Sequence, residues 1–402
     1  MGIFKEIPPT AGFPLYLNDF ISLFKRGSLE EDLSNYLELD YVSLTYSGTA
    51  ALYLILESLK EVSGKTSVVI PSYVCPLVPL AIKRAGLKVE VCDIGPDNFD
   101  FDLGELENLC SQNNDILAVI AVHLGGIPVD FEPMEKIVKK QGIFIIEDCA
   151  QSLGATYHGK KTGVLGDFSF FSLCRGKGLT IYEGGVAATS KKEYGQILDK
   201  KINLLAKDDF LSEILKIWEL LGYWVFYRPQ LFWFVFRLPQ IFWNLGGNKL
   251  KALGEYFTPE FPIHKVSRIR KAIGHAQFYR LEEEIEKQRK KVSFYLEAFK
   301  GIRGLKAIQE YPDTRATYPY LTLIFDTPQM RNKALQIFKD SGLGVFQVYA
   351  YAIGDYDYLK PIIPQKDYPG GRYLAEHTIT LSTSAFLTQE DLASIIQTIK
   401  NL

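Results

Sequence analysis

Strand-like and helix-like segments alternate along residues 40–190, and this alternation constrains the fold more than any other feature of the sequence. Short apolar or β-branched runs predict strands at 41–45, 67–71, 89–93, 116–123 and 143–147. Helical stretches are expected between them, at about 47–59, 76–85 and 132–140. Such alternation predicts an α/β fold with a mainly parallel sheet covered by helices on both faces. Ligands of these sheets bind at the carboxyl ends of the strands, so we expect the functional residues there.

The second half of the chain has an α+β pattern. A charged amphipathic stretch predicts one long helix over Arg268–Phe299. A strand at Tyr318–Phe325, a helix at Gln329–Ser341, a strand at Val345–Val348 and a last helix after Thr388 are expected to follow. We therefore predict a large domain over 1–204, an aromatic-rich helical insertion over 205–256 and a smaller C-terminal domain over 257–402.

Composition excludes several classes of protein. The formal net charge of −2 offers no electrostatic footprint for nucleic acid. The five cysteines include no close pairs, so neither a disulfide framework nor a zinc site is indicated, and no metal is expected. A reducing cytoplasm is the simplest location, and the first residues lack the apolar core of a signal peptide.

Residues 214–245 are unusually aromatic, and all four tryptophans lie at positions 218–243. Arginines and prolines interrupt the apolar runs, which are shorter than the roughly 18–20 residues that a spanning helix needs. One interpretation is a helical insertion packed against the core or a second subunit. The other is a hairpin in the inner membrane interface, which would make the protein peripheral.

One lysine stands out in the nearly uncharged segment 168–185. An ammonium group is costly to desolvate in such a setting, so Lys177 is a candidate amine nucleophile. Upstream, the apolar strand at 143–147 leads into Asp148. An amine that forms a Schiff base and an acid that keeps a pyridine nitrogen protonated are the two groups that pyridoxal 5′-phosphate (PLP) requires.

A phosphate site is predicted where the chain reads Ser47-Gly48-Thr49-Ala50. Free N–H groups and a hydroxyl would meet there at the start of a helix, although ordinary helix capping explains the same residues. Ser172 could direct a second hydroxyl at that phosphate. Gln151 could bond the phenolic oxygen of PLP, or it could be a solvated residue at a helix start.

Seven motifs in order carry a resemblance to a known family. They are Tyr-Ser-Gly-Thr-Ala-Ala-Leu (46–52), Ile-Pro-Ser-Tyr (70–73), Val-His-Leu-Gly-Gly-Ile-Pro-Val-Asp (122–130), Glu-Asp-Cys-Ala-Gln-Ser (147–152), Leu-Gly-Asp-Phe-Ser-Phe-Phe-Ser (165–172), Glu-Gly-Gly (183–185) and Ala-Ile-Gly-His-Ala-Gln (272–277). The chain resembles the DegT-type sugar aminotransferases, which are PLP-dependent enzymes of fold type I. This likeness implies a large domain with a seven-stranded, mainly parallel sheet and a smaller C-terminal α+β domain.

The resemblance also implies roles for individual residues. Lys177 would be the Schiff-base lysine, Asp148 would bind the pyridine nitrogen and Gln151 would lie near the ring oxygen. Gly48, Thr49, Ala50 and Ser172 would hold the phosphate. Lys265, or alternatively His264, would reach the phosphate from a neighbouring subunit, which implies a homodimer.

At several positions the chain departs from the family pattern. Cys75 stands where an aromatic residue commonly stacks on the cofactor ring, and Tyr73 is the alternative stacking residue. Tyr182 replaces a glycine, and Val348-Tyr349 replaces a His-Tyr pair. Tyr182, Tyr349 and His123 are candidate substrate residues, and a structural role for His123 is the main alternative.

The resemblance implies transfer of an amino group from an amino acid, with glutamate the expected donor, to a nucleotide-linked keto-sugar. Such a reaction belongs to cell-surface polysaccharide or secondary-metabolite biosynthesis. Alternatives are a membrane-associated PLP enzyme acting on a larger or lipid-linked ketone, and a non-catalytic regulatory or assembly protein of the same fold. A dehydratase is a weaker alternative, because the family's sugar dehydratases carry histidine where this chain has Lys177.

Overall fold

The computed structural model describes residues 4–21 and 27–402 of the 402-residue chain. Its helices are α1 Leu17–Ile21, α2 Leu29–Leu37, α3 Gly48–Val62, α4 Leu77–Arg84, α5 Leu103–Gln112, α6 Phe131–Lys140, α7 Lys192–Leu205, α8 Phe210–Phe226, α9 Pro229–Val235, α10 Arg237–Leu245, α11 Lys249–Leu253, α12 Arg268–Phe278, α13 Leu281–Phe299, α14 Pro328–Phe338, α15 Pro369–His377 and α16 Gln389–Lys400. Its strands are β1 Tyr41–Thr45, β2 Ser67–Pro71, β3 Lys88–Cys92, β4 Ile116–Val122, β5 Phe144–Asp148, β6 Thr156–Tyr157, β7 Lys160–Lys161, β8 Phe168–Ser172, β9 Gly185–Thr189, β10 Leu305–Ala307, β11 Thr314–Arg315, β12 Tyr320–Phe325 and β13 Thr378–Ser382.

Within the described part of the chain, seven strands form the main sheet in the order β1-β9-β8-β5-β4-β2-β3. Strands β8, β5, β4, β2 and β3 are parallel neighbours, whereas β9 runs antiparallel to β1 and β8. Strand β4 is buried along its whole length. Helices cover both faces of a parallel sheet, which explains why the sequence of β4 is apolar throughout rather than alternating.

A smaller antiparallel sheet, β10-β12-β13, forms the C-terminal part, with α13 and α14 packed against it. This arrangement confirms the predicted α/β fold with a smaller α+β unit. A third sheet, β11-β6-β7, pairs a strand of the second half with two strands of the first half. The two halves are thus joined by backbone hydrogen bonds as well as by packing.

Two details of the second half differ from the sequence-based prediction. The helix expected over Arg268–Phe299 is broken between α12 and α13, where Arg280 leaves the helical path and donates to Asp19 Oδ2 at 2.8 Å. The strand expected at Val345–Val348 is reduced to one bridge between Phe346 and Thr380. Gly342 and Gly344 both have φ near +70°, so the chain turns rather than extending before this point.

The aromatic insertion folds as helices α8 to α11. A buried ion pair between Arg270 of α12 and Glu213 anchors the first turns of α8. Near its other end, Tyr223 and Tyr227 donate hydrogen bonds to the backbone oxygens of Phe13 and Thr10, at 3.2 and 3.1 Å. No helix among residues 4–21 and 27–402 combines the length and apolar character needed to cross a bilayer.

Candidate active site

The register of the main sheet gathers the predicted site residues at one edge. Asp148 pairs with Val122, the residue before His123, and also with Phe170 on β8. Ser172, at the end of β8, pairs with Gly185 at the start of antiparallel β9. This edge borders a cavity of about 460 Å³, a volume typical of ligand pockets. The predicted residues that line it are Ser47, Gly48, Thr49, Cys75, His123, Asp148, Gln151, Ser172, Lys177 and Tyr349.

The N-terminus of α3 opens into this cavity. Ser47 caps the helix by accepting a hydrogen bond from Ala50 N–H at 3.1 Å. Among the described residues, the N–H groups of Gly48 and Thr49 have no acceptor. Two free N–H groups beside the Ser172 hydroxyl, at the positive end of a 15-residue helix, make a candidate anion site. Capping and anion binding are therefore compatible at this position.

Gly185 explains why strand β9 can approach this helix start so closely. A Cβ atom at Gly185 would lie 2.3 Å from the carbonyl carbon of Ser47 and 2.5 Å from the nitrogen of Gly48. Any side chain at this position would displace the backbone that carries the two free N–H groups. The last glycine of the Glu-Gly-Gly motif is therefore needed for the geometry of this helix start.

Asp148 provides a buried carboxyl group in the cavity wall. Its Oδ1 accepts a hydrogen bond from Ala150 N–H at 2.9 Å, and the residue is only 5% exposed. Desolvation raises the pKa of Asp148 from 3.8 to about 6, although the Ala150 N–H and the positive charge of Lys177 oppose this shift. The negative charge of the Asp148 carboxylate is therefore only partly balanced by the protein, and a protonated ring nitrogen would balance it.

Gln151 has a fixed orientation. Its Oε1 accepts from Gly125 N–H at 2.8 Å and from the Tyr320 hydroxyl at 2.7 Å. A backbone N–H can only donate, so the atom that faces Gly125 must be the amide oxygen. The amide NH₂ group is thereby left available as a donor for a ligand.

His123 is a buried part of the cavity lining, and both of its ring nitrogens have partners. Its Nδ1 accepts from Val129 N–H at 3.2 Å and its Nε2 lies 3.0 Å from Glu147. Glu147 also accepts from three backbone N–H groups, those of Gly163, Leu165 and Gly166. Although Cys149 lies close enough to complete a metal-like trio, the oxygens of Glu147 already have partners. These hydrogen bonds hold the loop after β7 in place.

Lys177 lies in the turn between β8 and β9 and lines the cavity. Its N–H bonds the oxygen of Cys174 at 3.1 Å, and its Nζ has no hydrogen-bond acceptor among the described residues. Arg175 from the same turn also lines the cavity without a carboxylate partner there, and its guanidinium lies 5.4 Å from the ring centre of Tyr182. The turn therefore presents one amine and one guanidinium to a ligand.

Burial raises the pKa values of two side chains that line the cavity. Burial raises the pKa of the Cys75 thiol to about 11, so this residue is a small neutral contact rather than a thiolate. Burial also raises the pKa of Tyr349 well above its usual value, so its hydroxyl stays protonated. Both side chains can contact a ligand ring without adding charge.

The last residue of the predicted insertion and the chain just after it form a wall of the cavity that the sequence did not indicate. Tyr256, Phe257, Thr258, Glu260, Phe261 and Pro262 all line it. Glu255 ties this wall to the C-terminal part, since its carboxylate accepts from Ala350 N–H at 3.0 Å and from the Tyr356 hydroxyl at 2.5 Å. No periodicity or motif marks these residues, because their role depends on a tertiary contact.

Some predicted residues lie away from the cavity. Ala50 is buried in α3, where its N–H bonds Ser47. Tyr73 is buried in the core, where its hydroxyl donates to the oxygen of Tyr349 at 3.1 Å and accepts from its N–H at 3.0 Å. The Tyr182 ring packs toward α8, with its centre 6.5 Å from that of Tyr223. Tyr182 has φ of +73°, the conformation that favours glycine, so this packing offsets backbone strain.

Lys265 and His264 also lie outside the cavity lining. Lys265 is half exposed and its Nζ is 3.5 Å from Asp208, whereas His264 packs edge-on against Tyr46. Neither residue touches the anion site of its own chain.

A family comparison agrees with these features. The sequence model of the DegT/DnrJ/EryC1/StrS aminotransferase family matches residues 21–210 and 262–400. The chain belongs to this family. The unmatched stretch, 211–261, covers α8 beyond its first residue, α9 to α11 and most of the additional cavity wall.

Single proteins are also similar to this chain, and the solved structures among them share its fold. A UDP-4-amino-4,6-dideoxy-N-acetyl-β-L-altrosamine transaminase of Campylobacter jejuni is 27% identical over 346 residues, covering 84% of this chain and 79% of that protein. The sugar aminotransferase CalS13 from Micromonospora echinospora has a TM-score of 0.74 at 19% identity, with 100% of both chains covered. An Escherichia coli GDP-4-keto-6-deoxy-D-mannose-3-dehydratase with bound hydrated PLP also has a TM-score of 0.74, at 17% identity, with 98% and 100% covered.

The chain is a PLP-dependent aminotransferase of the DegT family, as the resemblance implied. Its own residues fit PLP: a helix start with two free N–H groups suits the phosphate, and an undercompensated buried carboxylate suits the pyridine nitrogen. The outward NH₂ group of Gln151 suits the phenolic oxygen, and the unpaired amine of Lys177 suits the aldehyde carbon.

Proposed function

We propose that this enzyme transfers an amino group from glutamate to the ketone of a nucleotide-linked keto-sugar. The observation that carries the proposal is the convergence of Lys177, Asp148 and the start of α3 on one cavity of about 460 Å³. The Campylobacter jejuni relative is named as a nucleotide-sugar transaminase, which supports this substrate class. Products of this kind belong to the synthesis of surface polysaccharides and secondary metabolites.

We propose distinct roles for the residues around the cofactor. PLP, when bound, supplies an electron-accepting ring that stabilises negative charge on the adjacent carbon of the substrate. Asp148 would hold a proton on the ring nitrogen by providing a buried negative charge 5% exposed to solvent. Gly48, Thr49 and Ser172 would bind the phosphate, and Gln151 would donate from Nε2 to the phenolic oxygen. Cys75 and Tyr349 would contact the ring and the substrate as neutral groups.

Lys177 is the proposed proton carrier. Its Nζ is held in no ion pair among the described residues, so it is free to take a proton from the amino-bearing carbon and return it elsewhere. The neighbouring Arg175 is the proposed contact for the carboxylate of the amino donor, because its guanidinium also lacks a carboxylate partner in the described structure. Replacing Arg175 with methionine should raise the KM for glutamate more than it lowers kcat.

The active unit is proposed to be a homodimer in which Lys265 serves the partner's phosphate site. Lys265 lies outside its own cavity, and its Nζ is 3.5 Å from Asp208, which stands two positions before α8. Leu211, Leu215 and Trp218 of α8 are exposed apolar residues. These residues follow a helical spacing of four and three, and their exposed fractions are 73%, 63% and 68% for Leu211, Leu215 and Trp218. An apolar helix face of this kind suits a subunit interface.

A hybrid-dimer experiment tests both the shared site and the chemistry. Lys177→Ala and Lys265→Ala chains, each inactive or weak alone, would be co-expressed with different tags and the mixed dimer purified. If Lys265 acts in the partner's site, each mixed dimer contains one intact site and should show about half of the activity of the wild-type dimer. If Lys265 acts in its own site, the mixed dimer regains nothing. If Lys265 acts nowhere, the Lys265→Ala homodimer alone keeps the full wild-type activity, which refutes the proposed role.

We propose a cytoplasmic location. All five cysteines are free in the structure and none pairs with another, which suits a reducing compartment. Cell fractionation with an alkylation assay for free thiols would check this proposal.

A further inference from the structure

Helix α10, Arg237–Leu245, contains no buried residue. Phe242, Trp243 and Leu245 have exposed fractions of 65%, 45% and 81%. Ile241 beside them and Phe234 and Val235 of α9 are between 41% and 48% exposed. We call these six residues the apolar face. Exposed apolar residues are common singly, but six of them, three aromatic, on two helices that pack against each other mark a surface that a partner can cover.

The stretch of chain that carries the apolar face has charges of one sign. No acidic residue occurs between Glu219 and Glu255, whereas Arg228, Arg237, Lys249 and Lys251 do. Two of these cations are used internally: Arg228 donates to Leu15 O at 2.7 Å, and Arg237 pairs with Glu6 at 3.3 Å. Lys249 and Lys251 are exposed and have no carboxylate partner within the described residues.

Lys251 is positioned at the edge of the apolar face. Its Nζ lies 4.8 Å from the ring centre of Trp243 and 5.5 Å from that of Tyr256. An ammonium group above two amphipathic rings is the arrangement favoured at the boundary between lipid tails and headgroups. Tyr256 belongs to the cavity wall, so the apolar face adjoins the candidate active site.

We propose that the apolar face docks onto an anionic membrane surface, with α10 lying in the interface and Lys249 and Lys251 at the headgroups. A helix of 9 residues is roughly 14 Å long, so it can lie in the interface but cannot span a hydrocarbon core of about 30 Å. A second copy of the chain is a poorer occupant. In a two-fold contact the same patch meets itself, and because residues 220–254 contain no Asp or Glu, this stretch would offer the unpaired lysines no negative charge.

The inference does not depend on the identity of the sugar, because docking needs neither substrate nor turnover. Membrane docking would hold the cavity wall at residues 256–262 near the bilayer. An enzyme so placed would meet lipid-linked or membrane-bound partners at high local concentration.

Vesicle co-sedimentation of the full-length, PLP-loaded protein tests the proposal. Vesicles of phosphatidylcholine alone are compared with vesicles that also contain phosphatidylglycerol. The variant Phe242→Ser/Trp243→Ser/Leu245→Ser changes only exposed side chains, so it should fold. The control variant Leu204→Ser/Tyr279→Ser removes apolar side chains that are 67% and 75% exposed elsewhere on the surface.

The proposal predicts that wild type and the control bind the anionic vesicles and that the triple variant binds at least about tenfold more weakly. The Lys249→Glu/Lys251→Glu variant should lose the preference for anionic lipid, and added salt should weaken binding of the wild type. No binding of wild type to anionic vesicles would overturn the proposal. Equal binding of the wild type and the triple variant would also overturn it. If the wild type does not bind vesicles and the triple variant has a different oligomeric state, the apolar face is a subunit contact and the proposal is wrong.

Discussion

The Asp148→Asn substitution should stabilise the cofactor-free enzyme while disabling it. Asparagine has nearly the same shape and its Oδ1 can still accept the hydrogen bond from Ala150 N–H, which is 2.9 Å long. What the substitution removes is the desolvated negative charge. Because the charge has no full compensation without PLP, its removal should favour the folded state.

The magnitude follows from the pKa of Asp148. Burial raises this pKa from 3.8 to about 6, so the folded state holds the proton more tightly than the unfolded state does. The stability that Asp148 contributes is therefore complete below about pH 4 and is lost as the pH rises to about 6. A shift of about two units corresponds to roughly 3 kcal/mol, and for a chain of this length that is about 3–4 °C in Tm.

Thermal unfolding of the two cofactor-free proteins between pH 4 and 8 measures this difference. The Tm of Asp148→Asn should equal that of wild type at pH 4 and exceed it increasingly up to about pH 7. With saturating PLP the order should reverse, because the carboxylate then has a cationic partner. A difference independent of pH, or a less stable cofactor-free variant at pH 8, would refute the reasoning.

Asp100 offers a matched control. Burial also raises its pKa from 3.8 to about 6, and it accepts a hydrogen bond from Tyr311 outside the cavity lining. Asp100→Asn should show the same pH-dependent gain without PLP and no reversal with PLP. Loss of PLP binding in Asp100→Asn would mean that the reversal does not report the ring nitrogen.

Three further substitutions have definite expected outcomes. Gly185→Ala should weaken PLP binding at least about tenfold, because its Cβ would overlap Ser47; tight binding in a fluorescence titration would contradict the proposed anion site. The control is Gly222→Ala in α8, where nothing lies within 4 Å of the added Cβ, and thermal unfolding should show a gain in stability of about 0.5–1 kcal/mol. Gln151→Glu keeps the acceptor for Gly125 but loses the NH₂ donor, so the visible band of bound PLP should shift and kcat should fall at least about tenfold; an unchanged spectrum would remove Gln151 from the cofactor site. Tyr182→Gly should relieve about 1 kcal/mol of backbone strain but lose the contact with α8, so proteolysis of the insertion should become faster. An unchanged cleavage rate would show that the Tyr182 ring does not anchor the insertion.

Much of the main sheet could be predicted because its strands are short apolar runs bounded by turn residues. β1 and β2 have the predicted bounds, and β3, β4 and β5 differ from them by about one residue. The site edge was predictable for a related reason, since parallel strands place their carboxyl ends together. Asp148, Ser172 and Lys177 lie where that rule puts them.

The remaining features depend on tertiary contacts that leave no local pattern. The break between α12 and α13 reflects the attraction of Arg280 for Asp19, which lies 261 positions away in the sequence. The cavity wall at 256–262 depends on Glu255 meeting Ala350 and Tyr356. Composition showed that residues 214–245 are unusually aromatic, but it could not indicate that the chain just after the insertion lines the cavity.

The absorbance spectrum of the purified enzyme, recorded with and without glutamate, tests the central claim most directly. We expect wild type to show the visible band of lysine-bound PLP, and glutamate should convert it to a band at shorter wavelength. Lys177→Ala should lack the lysine-bound band. A wild-type enzyme without any PLP band, or a Lys177→Ala enzyme with the wild-type band unchanged, would contradict the assignment of Lys177 and of the cavity.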